Sequence, residues 1–201
     1  CRGIRNMNAE QKNFIEVVGA IASADMKNSG VAASLTTAQA ILESAWGKSE
    51  LTKTGNALFG IKATKDWKGK TLTRKTTEYE DGKKVQVEAE FRAYDTWEDS
   101  VKDHSAFLKK YKRYAKVIGE TDYKEACNAV AAAGYASDQE YAKKLIELIE
   151  TYELYNYDTK NTNTDDLGAE DKKYYRVQAG AYRRKEGADL MAEKIKKTGH
   201  K

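Results

Sequence analysis

A single carboxylate, Glu43, ends an alanine-rich apolar run in the segment TTAQAILESAWGKSELTK, residues 36–53. Its neighbours Leu42, Ala45 and Trp46 are apolar, and burial among apolar side chains raises the pKa of a carboxyl group. A carboxyl group that stays protonated near neutral pH can donate a proton to a poor alkoxide leaving group, as cleavage of a glycosidic bond requires. The segment makes Glu43 a candidate general acid, although the same sequence is also compatible with an exposed glutamate on a helix.

Other residue types that commonly carry chemistry are scarce. The chain has two cysteines, Cys1 and Cys127, and two histidines, His104 and His200. Two cysteines are too few for a disulfide framework, and histidines so far apart fit no local metal motif. We therefore predict no metal, no cofactor and no redox chemistry. His104 and Cys127 fall within predicted helices and are interpreted as packing residues.

The periodicity of apolar residues predicts a mainly helical α+β protein with one small β-hairpin. The first helix is predicted to begin at Asn8, because Asn8 and Gln11 are spaced as in a capping box. Val17 is expected on the inner face of this helix. Residues 85–91 alternate apolar and polar, after the Asp81 and Gly82 of a tight turn. Residues 55–63 are predicted to be irregular, with apolar side chains packed inward. Helices are expected at about residues 8–28, 34–47, 96–108, 123–133 and 138–152.

Composition limits the classes of function. Hydrophobic residues make up 40% and charged residues 33% of the chain, as in soluble globular proteins, and no run approaches the ~20 apolar residues of a membrane span. The net charge of +4 comes from residues 171–201, with ten basic and four acidic side chains; residues 1–170 have 25 and 27. A basic tail suits an anionic partner, but no nucleic-acid motif accompanies it, so no nucleic-acid binding is predicted.

Six segments follow in order along residues 8–155: QAILESAWGKS, GNALFGIKA, the Trp and Gly-Lys of residues 67–70, TTEYEDG, FRAYDTWEDSVKDHSAFL and AAGYASDQEYAKKLIELI. Together they resemble the glucosaminidase family of peptidoglycan hydrolases, glycoside hydrolase family 73, which includes bacterial autolysins and many phage endolysins. The resemblance implies a lysozyme-like fold, with a helical lobe and a small β-hairpin lobe on either side of a glycan cleft. It also implies hydrolysis of the β-1,4 bond that follows N-acetylglucosamine in the bacterial wall.

The resemblance assigns roles to individual residues. Glu43 corresponds to the family's general acid, and the TTEYEDG match places a second carboxylate at Glu78. Glu80 would face the same side of a strand and is the alternative second carboxylate or a substrate contact. The substrate's own N-acetyl group is the alternative nucleophile. Tyr135 matches a cleft tyrosine that would orient the N-acetyl group or stabilise developing charge. The candidate sugar contacts, each of which could equally belong to the core, are Asn56, Phe59, Trp67 and Tyr141.

The two ends of the chain are interpreted separately. Residues 1–7 lack the features of a signal peptide and are taken as a cloning remnant or unstructured start, with a lipid-modified Cys1 as the alternative. Residues 156–170 are nearly free of apolar side chains and are predicted to be a linker or a wrapped surface strand. Residues 174–201 resemble the first half of a sporulation-related (SPOR) repeat, a strand-helix module that binds glycan strands. We expect 8–155 to be the catalytic domain and 171–201 a partial wall-binding unit, able to pair with a second copy.

Three classes of function follow. The first is an endo-β-N-acetylglucosaminidase acting on peptidoglycan: a phage endolysin released from the host cytoplasm, since no signal peptide is seen, or a secreted autolysin whose leader is missing. The second is a lytic transglycosylase, which shares the fold and the acidic glutamate; Glu78 and the expected bond argue against it. The third is a catalytically silent wall-binding protein, which an intact Glu43 argues against.

Overall fold

The computed structural model describes residues 7–80 and 83–158, with side chains for all of these except 77–80, 83 and 84. The expectations for residues 1–6, for the chain beyond 158 and for the Asp81–Gly82 turn lie outside the described residues. Within them, the predicted mainly helical α+β fold with one β-hairpin is confirmed, and no helix is long and apolar enough to cross a membrane.

The elements are α1 (Ala9–Ser29), α2 (Ala33–Ser44), α3 (Glu50–Gly55), β1 (Lys70–Glu80), β2 (Lys83–Ala93), α4 (Trp97–Lys110), α5 (Tyr123–Ala132) and α6 (Tyr141–Thr151), with 3-10 helices at Lys112–Tyr114 and Leu154–Tyr157.

Helix α2 lies at the centre of the helical lobe and is buried on nearly every side. Ten of its twelve residues are buried, and most of these are Ala, Ser or Thr, whose small side chains let α1, α5, α6 and the last 3-10 helix pack directly against it. The hydroxyls of Thr37 and Ser44 donate to the carbonyls of Ala33 and Ala40, at 2.8 and 2.5 Å. These bonds satisfy the hydroxyl donors, so burying them costs little.

The N-terminus of α2 is closed by a residue from the far end of the domain. Ala32, at the N-cap position, has no polar side chain, and instead Asp158 Oδ1 accepts the backbone N–H of Ser34 at 2.8 Å. A carboxylate there also complements the helix dipole. Residues 156–158, which the sequence suggested would begin a linker, therefore help to complete the helical lobe.

The C-terminus of α2 is a turn of left-handed residues. Ala45, Trp46 and Gly47 have φ values of 49°, 63° and 75°, and the Trp46 N–H donates to the carbonyl of Ile41 at 3.1 Å, as in a Schellman motif. The Gly47 N–H donates to the Ser44 hydroxyl at 2.7 Å. The helix thus ends at Ser44, three residues before the expected end at Gly47, because the chain reverses there.

Trp46 is held in this unusual conformation by packing. Its ring makes edge-on contacts with Phe14 of α1, at a centroid distance of 6.1 Å, and with Tyr152 after α6, at 5.1 Å. A left-handed conformation costs a non-glycine residue of order 1–2 kcal/mol, so these contacts are what offset the strain. They fix the direction in which the last turn of α2 points.

Helix α1 begins as predicted. Asn8 and Gln11 form a reciprocal capping box, with bonds of 2.9 and 3.2 Å. The expected inward position of Val17 is wrong: its side chain is 39% exposed, because Ile15 rather than Val17 flanks Phe14 and Val18 on the buried stripe. The predicted packing roles of His104 and Cys127 are confirmed by their complete burial.

The two strands form an antiparallel hairpin in the register Lys70↔Ala93 to Glu80↔Lys83. The expected alternation on β2 is confirmed between 85 and 91, where odd-numbered side chains are buried or half-buried and even-numbered ones exposed. Residues 61–63 pair with the edge of β2 that does not face β1. The Ala63 N–H donates to the Glu90 carbonyl and the Arg92 N–H donates to the Ile61 carbonyl, both at 2.8 Å. This pairing joins the hairpin to the irregular segment, whose Leu58, Phe59 and Ile61 are buried as expected.

A buried ion pair ties β2 to α4. Nη1 of Arg92 lies 3.0 Å from both carboxylate oxygens of Asp103, and the Tyr94 hydroxyl donates to the same carboxylate at 2.7 Å. A charge-assisted bond of this kind is strong when it is shielded from water. The base of the hairpin is thus held to the helical lobe by side chains as well as by backbone pairing.

Replacing Ala45 by glycine should stabilise the domain. Glycine adopts the left-handed conformation without the steric cost that alanine bears, so we expect Ala45→Gly to raise the free energy of unfolding by about 0.5–1 kcal/mol, or Tm by roughly 1–4 °C. Calorimetric melting measures both. The matched control is Ala106→Gly, at an exposed position inside α4, which should destabilise by about 1 kcal/mol. A lower Tm for Ala45→Gly would contradict the strain assigned to this turn.

Candidate active site

A cleft of about 310 Å³ opens beside the C-terminal end of α2. Its walls are the last turn of α2, the irregular segment attached to β2, the end of α4 with the following 3-10 helix, and the turn after α5. A larger hollow of about 450 Å³ lies between α1 and α4, but there Glu98 is already paired with Lys102 at 2.7 Å. The cleft is lined by Glu43, Phe59, Gly60, Ile61, Lys62, Thr64, Phe107, Arg113, Tyr114 and Tyr135.

Glu43 enters this cleft from the last turn of α2. As a whole residue it is exposed, but its carboxyl end lies against Tyr141, whose hydroxyl donates to Oε1 at 2.7 Å. Burial of the carboxyl raises the pKa of Glu43, and the hydrogen bond from Tyr141 opposes that rise in part. The group is therefore a carboxylic acid biased towards its protonated form, with an open path to the cleft.

The source of this burial differs from the one the sequence suggested. Leu42 and Ala45 are exposed, and Trp46 packs against α1 and the end of α6, so the expectation that these neighbours bury Glu43 is wrong. Leu42 is an exposed residue within α2, and Ala45 and Trp46 belong to the left-handed turn that follows the helix. The covering group is Tyr141, which lies 98 positions further along the chain.

A hydrogen-bond chain continues behind Glu43. Gln39 Nε2 donates to the Tyr141 hydroxyl at 3.1 Å, and the hydroxyl donates in turn to Glu43. Gln39 and Glu43 are one helical turn apart and share a face of α2. Because Gln39 supplies the donor, the hydroxyl proton of Tyr141 is directed to Glu43. Sequence reasoning missed Gln39, although its i, i+4 spacing from Glu43 could have identified it.

Tyr141 is therefore placed differently from the sugar contact that the sequence suggested. Its side chain is 2% exposed, which leaves no ring face for a sugar to pack on. Burial, with the neighbouring Glu43 charge, raises its pKa far above the usual value, so its hydroxyl stays protonated. The geometry makes it a donor that positions Glu43.

Tyr135 lines the cleft beside Glu43, and its ring stacks against Tyr141 at a centroid distance of 5.9 Å. Its hydroxyl is buried and has no hydrogen-bond partner among the described residues. Burial and the nearby Glu43 raise the pKa of Tyr135 well above its usual value. The result is a neutral hydroxyl, next to the acid, with its hydrogen-bonding capacity unused.

Phe59 forms part of the cleft wall but is only 5% exposed. Its ring stacks on the His104 imidazole, with centroids 4.0 Å apart and planes inclined by 18°. Burial lowers the pKa of His104 to about 3, and neither ring nitrogen has a partner within the described part of the chain. His104 is thus a neutral support beneath Phe59 and the edge of Tyr135.

Two other predicted sugar contacts lie outside this cleft. Asn56 has a left-handed backbone, φ 51°, and its amide donates to the carbonyls of Tyr94 and Asp95, so it links the end of α3 to the end of the hairpin. Trp67 is half-buried; its indole N–H donates to the Lys70 carbonyl at 2.9 Å, and its ring lies against the Arg92 guanidinium. Both contacts support the base of the hairpin.

The candidate second carboxylates are on strand β1. Glu78 pairs with Val85 and Glu80 pairs with Lys83, the last pair of the register. Both positions are thus near the tip of the hairpin. Their side chains are outside the described part of the structure, so the choice between them stays a sequence prediction.

Comparison with known proteins agrees with this arrangement. The family model "Glucosaminidase: Mannosyl-glycoprotein endo-beta-N-acetylglucosaminidase" matches residues 19–154. The chain is 40% identical over 157 residues to exo-glucosaminidase LytG of Bacillus subtilis, covering 76% of this chain and 55% of that protein. It is 35% identical over 148 residues to peptidoglycan hydrolase FlgJ of Salmonella typhimurium, covering 72% and 47% respectively.

The fold has solved counterparts as well. The catalytic domain of the autolysin Auto from Listeria monocytogenes superposes with a TM-score of 0.69 at 34% identity, covering 76% of this chain and 90% of that domain. The chain spans about half the length of the curated relatives it matches. The family match spans the residues that build the cleft, and the chain belongs to the glucosaminidase family.

Proposed function

We propose that this domain is an endo-β-N-acetylglucosaminidase that hydrolyses the β-1,4 bond following N-acetylglucosamine in bacterial peptidoglycan. The observation that carries the proposal is Glu43: a carboxyl group in a cleft, with its pKa raised by burial and one oxygen held by Tyr141. The names of the relatives, a glucosaminidase and a peptidoglycan hydrolase, support the same activity.

In this mechanism Glu43 supplies the proton that the leaving sugar oxygen needs. The hydrogen bond from Tyr141 occupies Oε1, so the acidic proton is carried on Oε2 and is free to be donated. After proton transfer the same hydrogen bond stabilises the carboxylate that forms. Tyr135, whose buried hydroxyl has no described partner, would bind the N-acetyl group or the charge that develops next to it.

The second half of the reaction needs a base for water or an internal nucleophile. We assign the base to Glu78, with Glu80 as the alternative, because a carboxylate on the hairpin could activate water on the face of the sugar opposite Glu43. If neither carboxylate acts, the substrate's N-acetyl oxygen attacks the anomeric carbon. The first route gives an inverted product and the second a retained one.

The finer assignments rest on sequence alone or on relatives. We propose that the protein acts on the bacterial cell wall as a phage endolysin or a secreted autolysin, and that residues 171–201 form a partial SPOR-like wall-binding unit able to self-associate. An exo-acting enzyme is a second candidate, since the relative from Bacillus subtilis is named an exo-glucosaminidase. A lytic transglycosylase and a protein that only binds the wall differ from these hydrolases in the fragments that they would release.

Mass spectrometry of fragments released from purified peptidoglycan, after borohydride reduction, tests the activity and the bond. We expect fragments of several lengths that end in reduced N-acetylglucosamine. The Glu43→Gln variant should fold but lose roughly 10²–10⁴-fold or more in rate, because an amide cannot supply the proton. Disaccharides alone would indicate exo action, anhydro-muramic ends a transglycosylase, and no fragments a binding protein. Full activity in Glu43→Gln would refute the assignment of the acid.

Separate substitution of the two hairpin carboxylates tests the base. We expect Glu78→Gln to lower the rate of reducing-end release by roughly 10²–10⁴-fold, while Glu80→Gln, its matched control, changes it by less than tenfold. The opposite order would move the base to Glu80. Near-normal rates in both variants would indicate that the N-acetyl group is the nucleophile.

Tyr141→Phe tests how the acid is tuned. The substitution keeps the ring but removes the hydrogen bond that lowers the pKa of Glu43, so that pKa should rise further. A general acid acts only while protonated, and activity is lost as pH rises through its pKa. The alkaline limb of the pH profile of kcat should therefore move to higher pH in Tyr141→Phe. Tyr123→Phe, which removes a surface bond to Glu150, should leave it unchanged. An unchanged or downward-shifted limb in Tyr141→Phe would contradict the account.

A further inference from the structure

The cleft has a charge pattern that differs from that of the domain around it. Residues 7–158 carry 22 basic and 24 acidic side chains, a slight negative balance. Among the described residues that line the cleft, however, Glu43 is the one carboxylate, whereas Lys62 and Arg113 are both cations. The lining thus has more basic than acidic residues, the reverse of the balance in the domain as a whole. Such a lining favours a ligand that carries negative charge close to the bond being cleaved.

Arg113 is the cation whose position is best defined. Its guanidinium lies over the Tyr114 ring at 4.8 Å and near the Tyr111 ring at 5.8 Å, and Tyr114 itself is 1% exposed and therefore rigid. No carboxylate lies within ion-pair distance of Arg113 in the described part of the chain. Arg92 differs in this respect, because its guanidinium forms a buried ion pair with Asp103.

Glu43 is not the partner of Arg113 either. A guanidinium in contact with a carboxyl group lowers the pKa of that group, whereas the pKa of Glu43 is raised, and the influences on it are burial and Tyr141. The two side chains therefore line the same cleft without forming a pair. Arg113 thus lines the cleft with its guanidinium against aromatic rings and without a carboxylate partner among the described residues.

We propose that Arg113 binds a carboxylate of the glycan substrate and so distinguishes muramic-acid-containing chains from uncharged N-acetylglucosamine polymers. This inference rests on the proposed function. Guanidinium matches a carboxylate with two parallel N–H donors, and the contact with the Tyr114 ring holds the guanidinium beside a residue that also lines the cleft. Peptidoglycan offers carboxylates from two sources: the lactyl group of muramic acid when the peptide is absent, and the attached peptide when it is present. Arg113 is in this view a residue that determines specificity.

The test is calorimetric binding of three oligosaccharides of equal length to the full chain carrying Glu43→Gln, which prevents turnover. One oligosaccharide carries the wall peptides, one has been freed of peptide by an amidase and exposes lactyl carboxylates, and one is a chitin oligomer without carboxyl groups. Each is measured with Arg113 intact, with Arg113→Gln and with Arg113→Lys. The matched control is Lys116→Gln, an exposed cation three residues away that does not line the cleft.

Arg113→Gln should weaken binding of at least one carboxylate-bearing chain by about fivefold, leave the chitin oligomer unaffected, and be partly rescued by Arg113→Lys. Weaker binding of the peptide-bearing chain alone would identify a peptide carboxylate, and weaker binding of the peptide-free chain alone the lactyl group. Equal weakening of all three oligosaccharides, or of none, would overturn the role of Arg113 while leaving the proposed function intact. Failure of all three to bind any variant would overturn the proposed function and this inference with it.

If Arg113→Gln does not fold, the protein with Arg113 intact still provides the test. Its affinity for the carboxylate-bearing chains should fall between 50 mM and 500 mM salt more than its affinity for the chitin oligomer, because salt screens an exposed ion pair. An equal response of all three oligosaccharides to salt would overturn the proposal.

Discussion

The burial of helix α2 on nearly every side is the constraint on which the rest of this structure depends. Its small side chains allow four neighbouring elements to pack against it, and Asp158 closes its N-terminus. A helix enclosed in this way cannot rotate or slide without breaking most of the core. The one polar group that it delivers to the cleft, Glu43, is therefore placed by the whole helical lobe, and the packed Trp46 turn fixes where the helix ends.

Glu43 is subject to two opposing influences, and a general acid benefits from both. Burial raises its pKa and so favours the protonated form that donates, whereas the Tyr141 hydroxyl favours the carboxylate that remains afterwards. The aromatic wall beside it stays uncharged, because burial keeps His104 neutral and Tyr135 protonated. Stacked and edge-on rings make this wall stiff, which suits a site that must hold a sugar in one orientation.

Features that depend on local sequence could be predicted, and features that depend on distant packing could not. The alternation on β2 and the Asn8 capping box were evident because side-chain period and caps are short-range properties. The segment around Glu43 made it a candidate acid, and the family resemblance assigned the role, but the covering residue was not predicted, because Tyr141 lies 98 positions away. The roles of Gln39 and Arg113 also depend on the three-dimensional structure. Gln39 donates a hydrogen bond to the Tyr141 hydroxyl on α6, and Arg113 lines the cleft.

The most direct test of the account is the pKa of Glu43 itself in the free enzyme. Carbon-13 NMR titration of side-chain carboxyl groups, with the Glu43 resonance assigned by its absence in Glu43→Gln, measures it without substrate. The account predicts a value above the ordinary 4.5 of a glutamate, and a further rise in Tyr141→Phe. A Glu43 pKa at or below 4.5 would contradict the claim that packing around α2 raises the pKa of the carboxyl group at the cleft.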